Sequence, residues 1–78
     1  MRDEIYKNHI VKALVGEEGD KERMRYMYLD WVNNFLTVER FCEFHELSDL
    51  SVGKAVINVG QVIQEEYHAE QHKKRMDV

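Results

Sequence analysis

Proline is absent from this chain, cysteine and tryptophan occur once each, and there are only four glycines. Without proline the commonest helix breaker is gone, and the glycines carry most of the punctuation. The lone Cys42 excludes an internal disulfide and fits a reducing interior, where a free thiol serves as a small buried hydrophobe. Cations are also scarce. Eleven Lys and Arg stand against 15 Asp and Glu, a formal charge of −4, which argues against generic attraction to phosphate backbones. No apolar run approaches the length of a bilayer crossing, and the start has no charged-then-apolar pattern of a signal peptide. The expectation is a soluble cytoplasmic protein without membrane contact. At 78 residues it is a single domain near the size at which one core barely suffices, so stability could draw on a second copy or a partner.

High Glu, Lys, Met and Val content without proline points to an all-α domain, and the apolar spacing places four helices near 3–15, 20–34, 38–46 and 51–73. The core spans roughly 3–67 of the single domain 1–78, with a frayed C-terminal tail. In the first helix Asp3 and Glu4 suit the positive end of the dipole, Tyr6, Ile10, Ala13 and Leu14 share a face, and Gly16 is the stop. His9 lies beside that stripe as a half-buried edge residue. Asp20 is placed to cap the second helix, whose stripe is Met24, Tyr28, Trp31 and Phe35, widened by Met27, Leu29, Val32 and Leu36. Asn33-Asn34 weakens it, and Thr37 starts the third helix, although Arg40 stands where a capping-box Glu would sit. The second and third helices are expected to fold together around Trp31, Phe35 and Phe41.

Ser48-Asp49-Leu50-Ser51 offers caps for the fourth helix. Between Val52 and Gln64 Lys54 is the only charge, and Val52, Ala55, Val56, Val59, Ile63 and Tyr67 fit one face, with Ile57 and Val62 off it. Gly53 and Gly60 nearly superpose on that helix and permit a close helix approach. The stretch reads as a central helix or an interface, with Val52, Val56, Val59, Gly60 and Ile63 as candidate partner-contact residues and a homodimer through Val52–Ile63 in view. Its β-branched density would also permit a strand, but no partner strand is evident.

Three constellations could carry chemistry. Glu65, His68 and His72 lie on one side of a helix with spacing able to hold a divalent metal, although Ala69 stands where the zinc-protease motif has its glutamate. A solvated helix face is the simpler account, and no cofactor is expected. Thr37–Lys54 has the outline of a helix-turn-helix, with Phe41 and Cys42 packed, Leu47 in the turn, and Glu46 where a glycine is usual. As a DNA reader it would present Ser51, Lys54 and Asn58, but Glu39, Glu43, Glu46 and Asp49 outnumber the nearby cations. Cys42 and His45 form an i, i+3 pair, with Cys42 on the buried side and no evident group to orient the imidazole. With no glycine-rich phosphate loop and little room for a pocket, an enzyme is not expected.

The segment YLDWVNNFLTVERFCEFHEL, Tyr28–Leu47, resembles a family of short bacteriophage and prophage proteins that share Trp-Val-Asn-Asn-Phe-Leu-Thr followed by Phe-Ala-Glu. The likeness is clearest over that quarter of the chain and weaker over Val52–Glu66. Cys42 replaces the usual Ala and Glu46 the usual Gly. The resemblance implies no catalytic residues. It implies a viral accessory protein in the cytoplasm of a bacterial host, binding a host protein as a stoichiometric inhibitor or modulator of host or defence machinery. The alternative is a helix-turn-helix DNA-binding regulator.

Overall fold

A computed structural model describes residues 2–76, with side chains described as far as Gln71. It is all-α, with α1 (Asp3–Leu14), α2 (Glu18–Asn34), α3 (Val38–Phe44) and α4 (Leu50–Met76). The β-branched stretch VINVGQVI lies inside α4. The acidic first turn of α1 and Lys12 in its last turn both oppose the helix dipole. Gly16 ends α1 with φ +97°: its own N–H returns to the Ala13 carbonyl and that of Glu17 to Lys12, satisfying the last carbonyls of the helix. Asp20 is not the cap of α2, which begins after Glu17. It sits inside the first turn and bonds instead to His9 of α1, 2.7 Å away.

α2 ends where the asparagines begin to compete for the backbone; Asn34 donates to Asp30 at 2.7 Å, and Phe35 is already extended. Thr37 accepts from the Arg40 N–H at 3.3 Å and starts α3, as its hydroxyl predicts. Asp49 caps α4, accepting from both the N–H and the hydroxyl of Ser51.

Met24, Phe41 and Val56, one each from α2, α3 and α4, are the largest fully buried side chains. Trp31 and Phe35 meet Phe41 edge-on at 5.9 and 5.5 Å, an arrangement that sets the positive ring edge on the negative face. α2 and α4 approach closely at Gly60, where an added Cβ would run into the Met24 carbonyl and lie 2.6 Å from Tyr28 Cβ. Gly53 plays the same part against α3, since a Cβ there would overlap Cys42 Sγ.

Four apolar positions differ from the expected stripes. Val32 and Leu36 are exposed rather than part of the α2 core face, because the chain turns away at Phe35 before another neighbour can cover them. Ile57, placed off the α4 face by periodicity, is buried, since α1, α2 and α3 all pack on α4 and together cover more than one stripe. Leu14, at the end of α1, is 69% exposed.

Candidate functional site

The α3–α4 pair is helix-turn-helix-like, and its turn closes without glycine. Glu46 adopts φ +59°, its N–H donates to the Glu43 carbonyl, and the Leu47 N–H donates to Cys42 at 2.8 Å. This is the same carbonyl closure that Gly16 supplies to α1, with buried Leu47 and Cys42 as its apolar contact. A non-glycine residue there bears a left-handed strain cost of about 1–2 kcal/mol. Arg2 offsets part of it, donating its N–H to the Glu46 carbonyl at 2.9 Å, with its guanidinium in an exposed ion pair 3.5 Å from the Glu46 carboxylate.

Asp3 then fastens the turn. Its carboxylate accepts from the Ser48 N–H at 3.0 Å, the Ser48 hydroxyl at 2.9 Å and the Asp49 N–H at 3.0 Å. These bonds, the Ser48 amide foremost, hold Asp3 down at about 2. Asp49 is likewise lowered, by the hydroxyl and amide of Ser51. The amides entering α4 are therefore already bonded to carboxylates, where a DNA-reading helix would offer them to phosphate. Ser51, Lys54 and Asn58 are all exposed on α4, but Ser51 is engaged by Asp49.

Two histidines fasten neighbouring elements to α2. His9 bonds Asp20, and the imidazole holds that carboxylate below its ordinary value. His45 Nε2 lies 2.8 Å from Asp30 Oδ2, among the rings of Tyr6, Phe35, Phe41 and Phe44. Asp30 thus orients the imidazole, a partner hidden from the sequence because it lies one helix away. Cys42 packs against Gly53, and burial pushes its thiol up, away from the reactive thiolate.

Of the proposed metal ligands, Glu65 accepts from Gln61 at 3.3 Å and His68 is exposed beside Tyr67. The His72 side chain lies outside the described residues. Among the described residues no cluster of three or more His, Cys, Asp or Glu side chains could hold a metal ion.

The candidate partner-contact residues separate into two groups. Val52, Val56 and Gly60 lie within the chain's own core, so a homodimer through the whole Val52–Ile63 stripe has no free face to use. Val59 and Ile63 are half-buried and reach the surface, where they join Ala13, Leu14, Gly16 and Val62 in an apolar groove of about 340 Å³ between α1 and α4. Lys21, Asn58 and Glu66 supply its polar rim. Periodicity hinted at this groove by setting Val62 off the core face, but gave no sign that Leu14 would join it. At the far side of Ile63, Arg25 stacks on Tyr67 with its guanidinium 4.2 Å from the ring centroid, fixing α2 to α4.

No protein-family model, curated protein or solved structure matches this chain. Among the described residues, no helix is long and apolar enough to cross a membrane.

Proposed function

We propose that this chain is a non-catalytic accessory protein of phage type that binds a host protein in the bacterial cytoplasm and modulates it stoichiometrically. The observation that supports this reading is the α1–α4 groove. Leu14 is 69% exposed and Val62 54%, and half-buried Val59 and Ile63 form the floor between them. Contiguous apolar surface with a polar rim is the usual makeup of a protein-binding patch. The phage context rests on the Tyr28–Leu47 resemblance. The test is capture from bacterial lysate with the tagged chain, with and without nuclease, beside a Leu14→Asp/Val62→Asp variant. The expected result is a stoichiometric, nuclease-resistant host protein held by the parent chain and lost by the variant. Equal capture by both would sink the reading.

A second reading, the helix-turn-helix regulator, is favoured by the closed turn at Glu46 and by the exposure of Ser51, Lys54 and Asn58 on α4. It predicts salt-sensitive duplex binding that Lys54→Glu abolishes. The carboxylates of Asp3 and Asp49 at the entry to α4 put it second.

A further inference from the structure

The corner between α2 and α3 carries another apolar surface, apart from the α1–α4 groove. Leu36 is 98% exposed and Phe44 70%. With Phe35, Asn34, Arg40 and Glu43 they line an open cleft. The Phe44 ring sits 5.5 Å from that of Phe35, which is anchored edge-on against buried Phe41, so the apolar surface has a rigid backing.

Charges of both signs border this surface. The ion pairs among the described residues join Arg2 to Glu46, Lys7 to Glu4, Lys21 to Glu18, Arg25 to Glu22, and the two histidines to aspartates. Arg40 and Glu43 are in none of them, although they stand three residues apart on one helix. One unpaired cation and one unpaired anion therefore flank the cleft, which is locally neutral in a chain of charge −4.

We propose that this surface joins two copies of the chain, with α3 packed antiparallel to α3 of the second copy about a two-fold axis. Such an isologous contact brings each residue against its complement twice. Arg40 of one copy faces Glu43 of the other, and Leu36, just before α3, meets Phe44 near the end of the opposing helix. A partner of one charge sign would satisfy either Arg40 or Glu43 and leave the other desolvated and unpaired, which is costly. A second copy satisfies both. α3 has only seven residues, about 10 Å of helix, so the contact falls below the standard area of about 800 Å² per partner. The dimer is accordingly weak and reversible. It uses a different face from the host-binding groove, and either proposal can fail alone.

Sedimentation equilibrium of the full chain, from roughly micromolar to millimolar concentration, tests this. The average mass is expected to climb from monomer towards dimer. Leu36→Asp, at a side chain with almost no contacts to lose, should weaken association by about tenfold or more with an unchanged melting curve; Phe44→Ser should weaken it likewise while also lowering the melting temperature, because its ring packs on Phe35 and His45. Arg40→Glu and Glu43→Arg should each weaken it several-fold, and the double exchange should restore it. A monomer at every concentration would overturn the proposal. So would a dimer indifferent to Leu36→Asp, or a double exchange no tighter than the single ones.

Discussion

Replacing Gly60 by alanine sets two well-known effects against each other at one atom. In a helix interior Ala is favoured over Gly by about 1 kcal/mol, so propensity alone predicts a more stable protein. The new Cβ, however, would run into the Met24 carbonyl and sit 2.6 Å from Tyr28 Cβ, and neither can swing away as a side-chain tip could. α2 must move as a body, and overpacking of this kind costs about 1–3 kcal/mol, occasionally more. The net expectation is a loss of up to about 2 kcal/mol, which for a domain of this size lowers Tm by up to about 16 °C. Gly19→Ala is the matched control: nothing lies within 4 Å of its Cβ, and a gain of about 0.4–1 kcal/mol is expected. Gly53→Ala should fall between the two, because the atom in its way is Cys42 Sγ, and adding Cys42→Ala should recover part of the loss. Thermal and urea unfolding followed by circular dichroism give the three values. If Gly60→Ala is as stable as Gly19→Ala, the close approach of α2 to α4 is not as described.

Asp3, held at about 2 against an ordinary value of 3.8, contributes stability that is fully present above its unfolded value and is lost as the pH falls through that interval. Melting curves between neutral pH and pH 2 should therefore show a loss below about 4 that is smaller in Asp3→Asn; identical acid profiles would contradict the bonding to Ser48 and Asp49. Glu46→Gly should relieve the left-handed strain and, after losing an exposed ion pair, stabilise the chain by about 0.5–1 kcal/mol in urea unfolding. Cys42 should resist thiol reagents in the native state and react only as the chain unfolds, so rapid stoichiometric labelling of folded protein would contradict its burial.

Much of the fold was legible because helices announce themselves locally. Gly16, Thr37 and Asp49 stop, start and cap helices through bonds to residues within a turn or so, and the apolar stripe of α2 identifies its core face. What depended on distant residues was not legible. Asp20 has the chemistry of a cap, yet it serves His9, eleven residues back. Ile57 fell off the predicted stripe because period alone does not say how many neighbours surround α4. For the candidate site, Val52, Val56, Val59, Gly60 and Ile63 looked alike as candidate contacts in the sequence, and Val52, Val56 and Gly60 are absorbed into the core by neighbours that no local pattern names. Leu36 is the converse, an apolar residue placed on the α2 stripe that the turn at Phe35 leaves uncovered.

The bonds of Asp3 have a consequence for synthesis on the ribosome. Its partners, Ser48 and Asp49, lie 45 and 46 residues later, so the first helix leaves the ribosome long before its leading carboxylate has anything to hold. α3 is too short to persist alone, and its turn is braced by Arg2 from the same early segment. A nascent chain halted before residue 48 should consequently remain sensitive to protease. Resistance should arrive in one step, once enough of α4 has emerged to cover Met24 and Phe41.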